Sequence, residues 1–240
     1  MNATETVKNY FGLTKMPFSK RLGVNELYHS SSFTEATARL QIGLENEDVV
    51  LLSGPIGSGK SNVLRHFTHH LDPNAYLCLY IAADSFKIGE IAKRALAALQ
   101  VEVPYSGSQA LRRLQQSIIT LNREKALKPL LIIDEVQELP IPTLVSLKSL
   151  LNYTMDSEIM LFLLLCGQTS IHHTLANPCL EALGRRVRIR YSLAALSLEE
   201  TGAYISHHMN LGGVQQPVFT DEAKAVIYQH AKGIPSSVNA

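Results

Sequence analysis

The chain has 240 residues, 46% of them hydrophobic and 18% charged, with 22 basic side chains against 21 acidic ones. That length suits one large α/β domain with a small appendage. The near balance of charge excludes a global field that would draw in nucleic acid or membrane, so any such contact must come from a local patch. Three cysteines, Cys78, Cys166 and Cys179, lie far apart without CxxC spacing, which argues for a reducing compartment and against a metal site. Cys78 and Cys166 fall inside strand-like runs, where a small buried thiol is expected. The start, MNATETVKNYFGL, lacks the layout of a signal peptide. No apolar run approaches the roughly 20 residues that cross a bilayer. A soluble, cytoplasmic protein is expected.

In chain order, residues 1–32 form an opening segment with turn signals at Gly12, Pro17 and Gly23. Phe33 to Asn46 has helical spacing of apolar residues. A strand over 49–53 and a helix over 60–70 follow, then a turn at Asp72-Pro73-Asn74 and a second apolar strand over 76–81. Helical patterns occupy 87–99 and 108–124, separated by Pro104-Tyr105-Ser106-Gly107. Leu130 to Ile133 is a third strand, Thr143 to Met155 a helix, Ile159 to Cys166 a fourth strand, and Arg185 to Tyr191 a basic fifth. Two helical stretches, 197–210 and 220–232, predict a small all-helical lid. Unbroken apolar strands alternating with helices predict a parallel five-stranded sheet covered on both faces. The expected division is 1–32, an α/β core over 33–194 and a lid over 195–240.

Residues 54–61 read Gly-Pro-Ile-Gly-Ser-Gly-Lys-Ser, directly after the first strand and before a helix. That is the setting a phosphate-binding loop requires. Glycines let successive backbone N–H groups turn toward phosphate oxygens, and the following helix adds the positive end of its dipole. Gly54, Pro55, Ile56, Gly57, Ser58, Gly59, Lys60, Ser61 and Asn62 are therefore expected to cradle a nucleoside triphosphate. Lys60 would reach the β- and γ-phosphates and Ser61 would hold Mg²⁺. The third strand ends in Asp134-Glu135, where ligands of open α/β sheets bind. Asp134 is the expected second metal residue and Glu135 the general base for an attacking water. The strand over 76–81 suggests an additional strand between the loop strand and the acidic strand. With Glu135 after the Asp, this is similar to the ATPase branch containing AAA+ and RecA-like proteins.

Gln168 follows the fourth strand and reads as a γ-phosphate sensor, the position AAA+ proteins call sensor 1, against the alternative of an ordinary turn residue. Arg185, Arg186, Arg188 and Arg190 fit a solvated strand face, a DNA-phosphate strip or a finger donated to a neighbouring subunit's ATP. The residues alone leave these three open. The paired histidines His69-His70, His172-His173 and His207-His208 lack the spacing of metal ligands. Tyr153, Tyr191, Tyr204 and Tyr228 read as packing residues.

The opening segment, Tyr10-Phe11-Gly12-Leu13-Thr14-Lys15-Met16-Pro17-Phe18-Ser19 followed by Leu27-Tyr28-His29-Ser30, resembles that of the ExeA/GspA-like AAA+ ATPases. Helix, GxxxxGKS loop, IIDE strand and Gly-Gln pair follow in the family's order, so the resemblance covers residues 9–235. It implies a P-loop AAA+ ATPase using ATP and Mg²⁺, with Tyr10, Phe11 and Phe18 beside the adenine and Arg186 as the finger-like arginine. Where the family's lid often carries Gly-x-Pro-Arg, this chain has Gly233-Ile234-Pro235-Ser236, which implies slow or partner-stimulated hydrolysis. The end at Ala240 falls within an expected lid helix and suggests a truncated or shortened lid. Stand-alone members of this architecture look like oligomeric, DNA-binding helpers of a transposase, with target selection as their role. The alternative use is an ATP-gated assembly module of a secretion complex, whose members also carry a membrane helix and a cell-wall-binding domain.

Overall fold

The structure is a computed structural model that describes residues 3–19, 21–46, 49–153, 158–214 and 216–240. Its elements run α1 (Ala3–Phe11), α2 (Ser31–Asn46), β1 (Val49–Ser53), α3 (Lys60–His69), β2 (Tyr76–Ala82), α4 (Ile88–Ala98), α5 (Gly107–Lys125) and β3 (Lys128–Asp134). They continue as α6 (Ile141–Leu147), β4 (Phe162–Gly167), α7 (Ile171–Leu175), α8 (Glu181–Arg186), β5 (Val187–Ser192), α9 (Leu198–Leu211), α10 (Asp221–Ala231) and α11 (Pro235–Val238). The chain forms two compact units. One comprises Ala36–Gly54 and Phe67–Ser192; the other comprises Met1–Glu35, Pro55–His66 and Leu193–Ala240.

The first unit holds the α/β sheet, five strands all parallel in the order β2-β3-β4-β1-β5. β1 and β4 are buried at every residue, and β3 at every residue after Lys128, because helices cover both faces and no pleat direction meets water. One face packs Val49, Leu51, Leu131, Ile133, Leu163 and Leu165 against Ile91, Leu96, Leu114 and Ile118 of α4 and α5. On the other face α2 lies so close that a Cβ added to Gly43 would strike the Val50 side chain, with Ile189 and Phe162 in ordinary contact beside it.

The edge strands differ. β2 buries Leu79 and Ile81 but exposes Cys78 and Tyr80, and β5 exposes Arg188 and Arg190. Strand order corrects one expectation: the strand between β1 and β3 is β4, whereas the 76–81 segment forms the outer edge. Its alternation of Tyr76, Cys78 and Tyr80 with Leu79 and Ile81 is the mark of a strand with one open face. For the same reason Cys78 is exposed, while Cys166, on central β4, is buried as expected. The helix expected over 143–155 stops at Leu147 and tightens into a 3₁₀ turn over Lys148–Leu150; Met155 lies outside the described residues. The basic strand begins only at Val187, since Arg185 and Arg186 close helix α8.

In the second unit the opening segment starts with a helix, α1, ended by Gly12 at φ +66°. Thr14 donates its backbone N–H and its hydroxyl to the Gly212 carbonyl at the end of α9. Leu13, Ile205 and Met209 form a small core with Phe18, Val214, Phe219, Ile227 and Val238 around them. Helix α9 starts with a capping box, in which the Ser197 hydroxyl accepts from the Glu200 N–H and the Glu200 carboxylate accepts from the Ser197 N–H. Glu200 also accepts from the N–H and hydroxyl of Ser31. Burial raises its pKa, but these hydrogen bonds outweigh burial and leave it below the ordinary carboxylate value. His208 is 2% exposed, stacks on Phe18 at 5.0 Å and lies 4.3 Å from the Tyr204 ring. Desolvation, with the neighbouring His207 adding to it, pushes its pKa down to about 4.

Two outcomes follow from this packing. Between the ordinary histidine value and about 4, the unfolded chain takes up a proton that folded His208 refuses, so stability should fall as pH drops through that window. Urea unfolding at pH 7 and pH 5 should show a smaller loss for His208→Phe than for the unsubstituted protein. Gly43→Ala should cost about 1–3 kcal/mol in the same assay, because the α2–sheet contact has no room for a methyl group.

Candidate nucleotide-binding site

Strand β1 ends at Ser53, and the Gly54 N–H continues its ladder by donating to the Gly167 carbonyl at 3.2 Å. The Ser53 hydroxyl donates to the Tyr191 carbonyl at 3.3 Å and lies 2.8 Å from His172 Nε2. The strand end is thus pinned just where the loop begins. Beyond it Gly57 and Gly59 take φ of +77° and +100°, values that side-chain-bearing residues adopt only under strain. Ser58 donates its N–H back to the Pro55 carbonyl, and the Asn62 and Val63 N–H groups donate to the Gly59 carbonyl as α3 starts.

Lys60 is 8% exposed and its ammonium donates to the Pro55 carbonyl at 3.0 Å, so the charge is folded back over the loop. Ser61 and Asn62 are exposed on the first turn of α3, with the positive end of the helix dipole. Ile56 is exposed at the loop's tip. The Ser58 hydroxyl is buried with no hydrogen-bond partner. The loop touches the C-terminal helices of its own unit: the Ser236 N–H donates to the Gly57 carbonyl at 3.2 Å, and a Cβ on Gly57 would strike the Ser236 side chain. Ser236, the position where the resemblance expects an arginine, therefore sits directly on the loop.

In the sheet unit, Asp134 closes β3 at 6% exposure. Its Oδ1 accepts from the Glu135 N–H at 2.9 Å and its Oδ2 from the Tyr80 hydroxyl at 2.9 Å. Glu135 is exposed and takes a left-handed conformation, φ 53°, which turns the chain out of the strand into the 3₁₀ turn Val136–Glu138. Parallel registers align Ser53 with Gly167 and Ile133 with Leu165. The carboxyl ends of β1, β4 and β3 therefore form one edge, with Gly54, Gly167-Gln168 and Asp134-Glu135 along it. This is the edge at which open α/β sheets bind ligands, where the connection from β1 passes over β4 and β3 to reach β2. Asp134 offers oxygen, the donor type that suits Mg²⁺.

The remaining expected residues fall in different settings. Gln168 is half-buried beyond β4, and its N–H donates to Gln137 Oε1 at 2.9 Å. Arg186 donates to Asn152 Oδ1 at 3.0 Å from the last turn of α8. Phe18 belongs to the small core against His208, with φ 58°. Tyr10 and Phe11 are on the exposed side of α1, at 81% and 40% exposure, their rings meeting edge to face at 4.8 Å. Reading the sequence missed Tyr80, Gln137 and His172 as parts of the site. Tyr80 was legible only as one residue of an apolar strand, and Gln137 only as a polar residue two places after the acid; pairing each with its partner needed strand order.

A profile of the AAA domain family matches residues 43–175. General secretion pathway protein A of Aeromonas hydrophila is 31% identical over 236 residues, which cover 96% of this chain and 42% of that protein. Among solved structures, Aeropyrum pernix ORC2 in ADPNP–ADP complexes superposes with a TM-score of 0.70 at 15% identity, covering 92% of this chain and 62% of that one. Aeropyrum pernix ORC1 in complex with DNA superposes with a TM-score of 0.65 at 15% identity, covering 90% and 59%. At that identity the two structures show the fold alone, and this chain spans less than two thirds of each. The profile match, the relative and the shared P-loop fold together show that the chain belongs to the AAA domain family, as an ExeA/GspA-like AAA+ protein.

Proposed function

We propose that the protein binds ATP with Mg²⁺ and hydrolyses it, using the binding state to control assembly with itself and with a partner. The observation that carries this is the loop itself: positive-φ glycines, a helix starting at Lys60, and a lysine whose ammonium donates to a neutral carbonyl of the same loop. Gly54 to Asn62 would surround the phosphates, with Lys60 moving from Pro55 to the β- and γ-oxygens. Ser61 and Asp134 would hold Mg²⁺, which neutralises charge on the transferred phosphoryl group. Glu135 would take the proton of the attacking water, giving ADP and inorganic phosphate. Gln168 would contact the γ-phosphate, and Arg186 would act on a neighbouring subunit's nucleotide. Tyr10, Phe11 and Phe18 would flank the adenine. Ser236 brings no charge to the phosphates, which supports slow or partner-stimulated turnover.

For the partner, the reading is duplex DNA and a transposase, in a cytoplasmic ring or filament. Its support is local positive charge: Arg188 and Arg190 on the open face of β5, and Arg112 and Arg113 exposed on α5. A second reading is an ATP-gated assembly module of a secretion complex. The name of the 31%-identical relative favours it.

Lys60→Ala should abolish binding of a fluorescent ATP analogue. Glu135→Gln should bind it normally and lose turnover by about 10²- to 10⁴-fold; hydrolysis at the unsubstituted rate would remove Glu135 as the base. Duplex-DNA retention with and without ATP, at several salt concentrations, separates the two partner readings. Binding that requires ATP and weakens steeply with salt supports the first, whereas no retention in either condition favours the second.

A further inference from the structure

Gln137 links the acidic end of β3 to the end of β4 through a single side-chain amide. Its Oε1 accepts from the Gln168 N–H at 2.9 Å, which leaves Nε2, the donor end, facing Glu135 Oε2 at 2.6 Å and Glu138 Oε1 at 3.3 Å. The orientation is not arbitrary. A backbone N–H can only donate, so the amide oxygen must face Gln168 and the amide nitrogen must face the carboxylates. Space has been left for it: a Cβ on Gly167 would stand 2.5 Å from Gln137 Oε1 and 2.9 Å from Val136 Cγ1, closer than side chains tolerate. Val136 is fully buried and anchors the turn from which Gln137 projects.

Glu135 is otherwise exposed, on a left-handed residue, with a flexible side chain. A general base must be held within hydrogen-bond reach of its water. One oxygen tied to Gln137 fixes the carboxylate's rotation and leaves the other oxygen free. From this geometry we propose that Gln137 is a positioning residue: it orients Glu135 and couples it to the backbone of Gln168. A shift of the Gln168 backbone on contact with a γ-phosphate would then move the base. This rests on the reading of Glu135 as the base.

The test compares turnover and nucleotide affinity in the full chain for Glu135→Gln, Gln137→Met, Gln137→Glu and the double variant Glu135→Gln/Gln137→Met. Gln137→Met keeps the shape and loses all three hydrogen bonds. Gln137→Glu keeps an acceptor for Gln168 but has no hydrogen for Glu135, and guards against a packing defect. Both should lower kcat about tenfold or more while the nucleotide Kd stays within about twofold, and the double variant should be no slower than Glu135→Gln alone. In the nucleotide-free protein, the Gln137 side-chain amide resonance should shift in Glu135→Ala. Unchanged kcat in Gln137→Met beside a dead Glu135→Gln overturns this inference and spares the base. So do a change confined to Kd, an additive double variant, or an amide resonance that does not move. A fully active Glu135→Gln overturns the base and this inference together.

Discussion

Three strands buried on both faces, β1, β4 and β3, constrain everything around them. Their interiors admit only apolar side chains, because an unpaired polar group there would cost about 1–3 kcal/mol. Polar chemistry is therefore driven to the strand ends. The parallel registers then decide which ends meet, setting Gly54, Gly167 and Asp134 along one edge. A parallel sheet gathers all its carboxyl ends on the same side, so residues more than a hundred positions apart become neighbours, Gly54 and Gly167 among them.

At that edge polar groups are tied down by partners rather than left to solvent. Asp134 is buried, with a tyrosine hydroxyl donating to one oxygen and a backbone N–H to the other. The tyrosine comes from edge strand β2, whose open face allows a large amphipathic side chain that a central strand would not. Gln137 does the same for exposed Glu135.

The second unit is organised differently, by a small core and by capped helices. Leu13 and Phe18 from the opening segment pack with Ile205 and Met209 of α9, so the two ends of the chain form one body. Such a core is small, which gives the polar contacts around it, the Glu200–Ser31 bonds and the Thr14–Gly212 bonds, more weight in holding it together. Burying His208 in it as a neutral ring is the electrostatic cost of stacking an aromatic heterocycle between Phe18 and Tyr204.

Much of this was legible in the residues. Unbroken apolar runs marked β1, β3 and β4, and the GxxxxGKS and IIDE patterns marked where polar chemistry must emerge, because both are local consequences of chain geometry. What local pattern could not decide was strand order. The run 76–81 looked as apolar as the rest, and only hydrogen bonding to β3 alone made it an edge, exposing Cys78 and bringing Tyr80 to Asp134. Arg185 and Arg186 read as strand residues because their charges alternate with the following segment, yet Leu183 and Leu180 pull them into a helix turn. Gln137 joins Glu135, just after β3, to Gln168, just after β4. The sequence by itself determined the elements and their polar ends; tertiary structure decided which ends face each other, since pairing between distant strands depends on burial of whole faces, not on any one segment.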